Sequence, residues 1–177
     1  NSLVANYDYK FTNKLNLFFN SRVSETYLQY DKEVDTASAT HSEEVDGVES
    51  SSSLGLIYNF NENFMNKLTY AKTYIKRIYA ATENSGNTAQ DNYYGDRYTL
   101  MYMGDYKFNL DNSLVFGFDR EDDQIGYNKD LTGRKNKHNY VTSSYFDYQS
   151  RITNNLYFTF GSRFDEHSIA GNEDSHR

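Results

Sequence analysis

The sequence from Tyr94 to Phe108 reads YGDRYTLMYMGDYKF, and this stretch decides the fold class. Residues of one parity form an aromatic set: Tyr94, Tyr98, Leu100, Tyr102, Tyr106 and Phe108. The intervening positions form a more polar set: Arg97, Thr99, Met101, Met103, Asp105 and Lys107. Successive side chains of a strand point to opposite faces, so this period of two predicts one long β-strand with an aromatic face and a polar face.

The same alternation recurs along the rest of the chain. Further predicted strands cover residues 1–11, 15–30, 53–60, 64–74, 114–121, 140–149 and 156–165. Short polar turns at 12–14, 61–63, 109–113 and 153–155 join the strands in pairs, and long polar loops at 31–50, 81–92 and 127–137 join the pairs. Tight turns at one end and long loops at the other are typical of outer-membrane β-barrels, whose short turns face the periplasm. We therefore predict an all-β antiparallel barrel of about eight meander strands in the outer membrane of a Gram-negative bacterium.

The composition agrees with a barrel wall. Apolar residues make up 37% of the 177 residues and aromatic residues 17%, and the mean hydropathy is −0.87. Only one face of a wall strand touches lipid, so a low mean hydropathy and many aromatic residues are compatible there. No apolar run approaches the roughly 18 residues of a transmembrane helix. The chain lacks cysteine and proline, and its net charge of −7 is spread through the loops, so nucleic-acid binding is not expected.

The two faces of the predicted strands suit different solvents. Tyrosine and phenylalanine dominate the aromatic parity, which suits lipid and its interfaces, whereas a soluble β-protein would favour aliphatic residues. The polar parity carries seven charged residues, which we assign to the lumen: Arg22, Arg97, Asp105, Asp119, Asp147, Arg163 and Asp165. They form either an ion-pair ladder that stiffens the wall or contacts to another part of the protein. Lys72 breaks the pattern, which a snorkelling side chain or a bulge would explain.

The orientation of the turns predicts that residues 1–177 are one incomplete barrel domain. Strand one would descend from the outer side and strand eight would return to it, which places both ends of the chain outside. Complete barrels of this type begin and end on the periplasmic side. We therefore expect an interior segment of a larger barrel.

Residues 140–168 read YVTSSYFDYQSRITNNLYFTFGSRFDEHS and resemble the mid-barrel region of TonB-dependent outer-membrane receptors. The resemblance rests on a G-x-R-F-D-x-H-S pattern, which comprises Gly161, Arg163, Phe164, Asp165, His167 and Ser168, and on residues 116–121, FGFDRE. It implies a 22-stranded barrel, a plug domain in the lumen and energised uptake through TonB. The implied ligand is a ferric siderophore, haem or cobalamin. No plug, TonB box or terminal strand is in the sequence, and Arg163 would bind the plug.

Other candidate sites have weaker support. Three tyrosines in the loops are candidate contacts for a bulky ligand in an outer vestibule: Tyr79, Tyr93 and Tyr127. Asp31, Glu33 and Asp35 are weak candidate calcium ligands, because their spacing does not match an EF-hand and an ordinary solvated loop explains them better. No cofactor and no enzymatic activity are expected, because the sequence contains no catalytic motif. The alternative to an active receptor is a passive porin-like channel or a structural barrel protein.

Overall fold

The computed structural model describes residues 1–31, 42–82, 88–128 and 134–176. They form one antiparallel sheet of nine strands in the order of the chain, β1 to β9. The strands are β1 Ser2–Lys10, β2 Leu15–Asp31, β3 Ser42–Asn61, β4 Phe64–Thr82, β5 Thr88–Lys107, β6 Asn112–Asn128, β7 Arg134–Thr153, β8 Leu156–His167 and β9 Gly171–His176. The sheet is open, and no helix among the described residues is long and apolar enough to cross a membrane.

The described part of the chain has no hydrophobic core. No apolar side chain there is buried, and the backbone of each strand lies close only to that of its neighbours in the sheet. A single layer cannot bury its apolar side chains against a second layer, as the sheets of a soluble protein do. The apolar surface of this sheet must therefore be covered by something outside the layer.

The strand register gives the sheet two distinct faces. The aromatic face contains the odd residues of β1 and β2 and the even residues of the later strands, because the rows Tyr7↔Phe19↔Leu54 and Leu56↔Leu68↔Tyr102 continue across the sheet. The polar face contains the opposite parity. The apolar band on β5 extends from Tyr98 to Phe108, which is about 25 Å for a tilted strand, the height expected of a lipid-facing band.

The aromatic face ends in a ring-rich girdle beside the short turns. Phe64 packs edge-on against Tyr106 at 5.7 Å between ring centroids and is stacked with Phe116 at 6.3 Å. Phe108 in turn contacts Tyr106 at 4.8 Å and Tyr148 at 6.3 Å. Such girdles mark the membrane interfaces of outer-membrane barrels, so this one agrees with the predicted assignment of the aromatic face to lipid.

The four predicted short turns are confirmed, and all four contain the same type of hydrogen bond. In each, a side-chain oxygen accepts a hydrogen bond from the backbone N–H two residues later. Thr12 Oγ1 accepts from Lys14 at 3.1 Å and Asn61 Oδ1 from Asn63 at 2.9 Å. The other two bonds run from the Asp111 N–H to Asn109 Oδ1 at 2.9 Å and from the Asn155 N–H to Thr153 Oγ1 at 3.3 Å. Asparagine and threonine thus fix the reversals by local bonds.

The prediction of eight strands is incomplete, because β9 pairs with β8 after a tight turn in which Gly171 has a φ of 85°. Residues 42–50, 88–92 and 134–137 were predicted to be loop but lie in β3, β5 and β7. These segments and β9 are polar on both faces. Backbone pairing continues there without the alternation that revealed the other strands.

Lys72 lies in an unbroken register, so the bulge that was one explanation for it is absent. Its partners are Ser52 and Tyr98, and the β3–β4 register shifts only between Asn59 and Asn61. Lys72 Nζ lies 3.3 Å from Asp96 Oδ1 and 5.0 Å from the centre of the Tyr98 ring. The side chain therefore stays on the aromatic face at the outer margin of the band, and its charge is paired.

Candidate functional site

The polar face brings together the charged residues that the sequence assigned to the lumen. All seven share this face in the observed register, as predicted from their parity: Arg22, Arg97, Asp105, Asp119, Asp147, Arg163 and Asp165. Six of them lie on β5 to β8, where two arginine-centred clusters form. The roles assigned to them remain predictions, but their placement makes this face the candidate functional surface.

The first cluster surrounds Arg163 on β8. Its Nη2 donates to Ser143 Oγ at 2.7 Å and to Asp119 Oδ2 at 3.1 Å, while its Nε donates to Asp165 Oδ1 at 2.8 Å. The guanidinium also lies over the Tyr145 ring, 5.9 Å from its centre. Ser143 is only 1% exposed. One arginine thus joins three strands and satisfies a buried hydroxyl.

The second cluster surrounds Arg97 on β5. Its Nε and Nη2 donate to the two carboxylate oxygens of Asp123 at 2.7 and 3.0 Å, and its Nη1 lies 3.2 Å from Glu121 Oε1. Bidentate pairing of this kind fixes the orientation of the guanidinium plane. The acidic residues at 119–123 therefore lie on two faces of β6. Asp119, Glu121 and Asp123 bind arginines on the polar face, whereas Asp122 lies on the aromatic face.

Three of the predicted lumen residues lie outside these clusters. Asp147 accepts a hydrogen bond from Gln149 Nε2 at 2.9 Å. Arg22 lies between Val4 and Ser51 in the register, and Asp105 lies between Met65 and Val115. Among the described residues, no ion pair involves Arg22 or Asp105. The predicted lumen charges that form ion pairs in the described part of the chain include Arg97, Asp119, Arg163 and Asp165.

The three candidate tyrosines form a ladder near the outer end of the polar face. Tyr79 meets Tyr93 edge-on at 5.5 Å between ring centroids, and Tyr93 stacks on Tyr127 at 6.1 Å with an interplanar angle of 16°. We call these three residues the tyrosine ladder. They lie on strands rather than in loops, and the structure brings together residues that are 48 positions apart at the extremes.

Glycines covered by aromatic rings are a feature that the sequence reading missed. A Cβ added at Gly55 would lie 2.3 Å from the Phe18 ring, and one at Gly117 would lie 2.4 Å from the Tyr145 ring. On the aromatic face, Phe116 covers Gly104 in the same way, and Tyr94 covers Gly126. In each pair, the ring of a residue on the neighbouring strand lies over the glycine. Only the cross-strand register reveals these pairs.

A polar collar lies on the aromatic face, at the outer margin of the apolar band, where Arg120 pairs with Leu100 and Asp122 with Tyr98. Arg120 Nε donates to Asp122 Oδ2 at 3.0 Å, and the guanidinium lies 4.6 Å from the centre of the Tyr140 ring. His138 Nε2 approaches Asp122 Oδ1 at 3.4 Å. The collar keeps charges paired where the strand leaves the band.

The calcium hypothesis receives no structural test. Glu33 and Asp35 lie outside the described residues, and Asp31 is the last residue of β2, with its side chain also outside them. Within residues 1–31, 42–82, 88–128 and 134–176, no group of three histidine, aspartate or glutamate side chains is arranged to hold a metal ion.

Comparison with known proteins identifies the fold through solved structures. No protein-family model matches the chain, and no curated protein matches it. A monoaromatic hydrocarbon channel, the TodX deltaS2 mutant, is similar with a TM-score of 0.51 at 14% identity, over 94% of this chain and 54% of that one. The TodX deltaS2S3 mutant gives a TM-score of 0.50 at 13% identity, over 95% and 55%. The chain thus spans about half the length of these channels, and the likeness supports the predicted outer-membrane location.

This result corrects the resemblance to TonB-dependent receptors, which is wrong. The structurally similar proteins are channels, so the predicted TonB partner, plug domain and siderophore, haem or cobalamin ligand have no support. The residues that suggested the family instead form hydrogen bonds within the wall. Arg163 binds Asp165 and Asp119, and Ser168 Oγ accepts a hydrogen bond from the Tyr140 N–H at 2.9 Å. Such wall contacts do not depend on a receptor function.

Proposed function

We propose that this chain forms part of the wall of a passive outer-membrane channel, which was the alternative left open by the sequence. The observation that carries the proposal is the likeness of the sheet to the TodX channel over 94% of the chain. The two faces of the sheet fit this role. The aromatic face would contact lipid and the polar face would line the lumen.

The proposed solutes are small and uncharged. TodX is described as a monoaromatic hydrocarbon channel, and we extend that solute class to this protein. Each cluster on the polar face has one arginine and two carboxylates, so both clusters carry a net negative charge that disfavours anionic solutes. An uncharged solute avoids this repulsion.

The nine strands would form one section of a larger closed barrel. An open sheet edge exposes unpaired backbone groups, and such an edge is not tolerated in lipid. We therefore propose that further strands of the complete protein pair with β1 and β9. The figure of 22 strands was implied only by the resemblance to TonB-dependent receptors and has no other support. The assignment of residues 1–177 to one incomplete barrel domain without enzymatic activity remains a prediction.

Uptake by whole cells tests the proposal. The complete protein would be expressed in a Gram-negative host that lacks hydrocarbon channels, and accumulation of labelled toluene would be measured with and without a protonophore. A passive channel raises uptake above that of the empty host and keeps the initial rate when the protonophore is added. Loss of uptake with the protonophore would contradict passive transport. Uptake equal to the empty host, with the protein in the outer membrane, would favour a structural role.

A further inference from the structure

We propose that the polar face contains a binding cradle for one uncharged, six-membered aromatic ring, built over Gly95. This inference deepens the proposed channel function and rests on it for its biological meaning. The cradle has Gly95 as its floor, Ile75 and Ile125 as side walls, Tyr93 at its outer end and Arg97 at its inner end.

The strand register sets the dimensions of the cradle. Gly95 pairs with Ile75 on β4 and with Ile125 on β6, so the two isoleucines flank it on the same face. Strands are spaced by about 4.8 Å, which separates the two isoleucine Cα atoms by roughly 10 Å. Tyr93 and Arg97 are four residues apart on β5, which is roughly 13 Å along the strand. A single aromatic ring fits within this frame.

Two other glycines on the polar face show what can lie above a glycine in this wall. At Gly55 and Gly117, on the same face, an aromatic ring of the neighbouring strand fills the space above the glycine. At Gly95 an added Cβ would meet only the Gln124 carbonyl oxygen, at 3.7 Å. The isoleucine walls are open as well, since Ile75 is 37% exposed and Ile125 is 62% exposed. The space above Gly95 is thus the size of one ring, and none of the described residues places a ring in it.

The ends of the cradle are held in place before any ligand arrives. Tyr93 is packed between Tyr79 and Tyr127 in the tyrosine ladder, so its ring is fixed as an outer wall. Arg97 is fixed by Asp123 and Glu121, and its two carboxylate partners leave this end with a net negative charge. An anionic ligand would be repelled there, and the apolar isoleucine walls disfavour any unpaired charge. The cradle therefore selects an uncharged ring, with edge-on contact to Tyr93.

Gly47 provides a matched control. It lies on the same face of β3, and an added Cβ there would meet its nearest neighbour, Thr26 Cβ, at 3.7 Å, as in ordinary contact. Its register partners are Thr26 and Arg77, so no pair of apolar walls flanks it. Gly95→Val and Gly47→Val should therefore be tolerated equally by the fold, but only Gly95→Val fills the cradle.

Direct binding to the purified complete protein in detergent micelles tests the cradle independently of transport. Phenol and cyclohexanol would be titrated and followed by saturation-transfer NMR, because they share a hydroxyl and a six-membered ring and differ in aromaticity. We expect the wild type and Gly47→Val to bind phenol in preference to cyclohexanol. Gly95→Val should weaken phenol binding by about threefold to tenfold, the range of one aromatic contact.

A second variant, Ile125→Ser, keeps the proposal falsifiable if Gly95→Val fails to fold, and it should also weaken phenol binding. Equal phenol affinity in the wild type, Gly95→Val and Ile125→Ser would overturn the cradle. So would equal binding of phenol and cyclohexanol by the wild type. A channel that admits toluene in cells but shows either result would retain the proposed function without this site. Phenol binding at Gly95 without toluene uptake would retain the site and overturn the channel.

Discussion

Arg163 on β8 and Asp119 on β6 are two strands apart, yet a hydrogen bond of 3.1 Å joins Nη2 to Oδ2 across the intervening strand. The bond passes over Ser143 of β7, whose hydroxyl accepts from the same nitrogen. A contact between second neighbours ties three strands together, whereas the backbone ladder ties only adjacent ones. This arginine is therefore expected to stabilise the section of wall that β6, β7 and β8 form.

Replacing Arg163 with leucine should lower the free energy of unfolding by about 1–2 kcal/mol, because Asp119 and the buried Ser143 lose a charged donor. The estimate is modest because the Arg163 side chain is 42% exposed. Urea unfolding in detergent, followed by tyrosine fluorescence or gel mobility, measures the change. Arg22→Leu, on the same face without a described ion pair, is the control and should have a smaller effect. Equal losses in the two variants would show that the cluster has no special role.

Gly117→Val should disrupt folding. The new Cβ would lie 2.4 Å from the Tyr145 ring and 2.5 Å from the Tyr102 carbonyl oxygen, and the backbone oxygen cannot move aside. We expect a loss of about 3 kcal/mol or failure to fold, at the upper end of overpacking costs. The yield of heat-modifiable protein in the outer membrane is a suitable readout. Gly47→Val is the comparison, and wild-type yields for both variants would contradict the close packing at Gly117.

Thr12→Val tests the side-chain bonds in the first turn. Thr12 Oγ1 accepts from the backbone N–H groups of Lys14 at 3.1 Å and Leu15 at 3.0 Å, and valine has no acceptor. We expect a stability loss of about 1 kcal/mol. Thr12→Ser retains the hydroxyl and should stay within a few tenths of a kcal/mol of the wild type. If serine and valine were equally destabilising, the cause would be packing rather than hydrogen bonding.

Arginine substitutions distinguish the two faces energetically. Leu56 on the aromatic face and Met101 on the polar face are each 39% exposed in the sheet. Leu56→Arg would place a charge in lipid near the centre of the band and should cost about 2–4 kcal/mol. Met101→Arg would lie opposite Asp119 in the register and should be nearly neutral. Unfolding in lipid vesicles measures both, and a larger loss for Met101→Arg would reverse the face assignment.

The sequence predicts the strands well wherever one face meets lipid and the other does not. Leu100 and Met101 differ in environment, and that difference leaves a period of two that can be read directly. In residues 42–50 both faces are mostly polar, so the sequence predicts a loop where the structure has the outer half of β3. Alternation of apolar and polar residues therefore shows that the two faces of a strand have different environments. It does not show whether the backbone is paired.

The candidate site was predictable only in part. Parity alone placed Arg97 and Arg163 on the polar face, and the structure confirms that placement. Their partners depend on which strands are neighbours and in which register, so the bond from Arg163 to Asp119 could not be read from the chain. The same limit hid the ring over Gly117 and the open space over Gly95. The family assignment failed because a short wall motif satisfies local bonding in barrels of different function.

Water accessibility along β5 tests the central claim, which is that the polar face borders a water-filled lumen and the aromatic face borders lipid. The chain has no cysteine, so single cysteines can be introduced at Thr99, Leu100, Met101, Tyr102 and Met103. Reaction with a charged maleimide would be measured in intact outer membranes. We predict rapid labelling at 99, 101 and 103 and protection at 100 and 102. Uniform labelling, or protection of the odd positions with labelling of the even ones, would contradict the account.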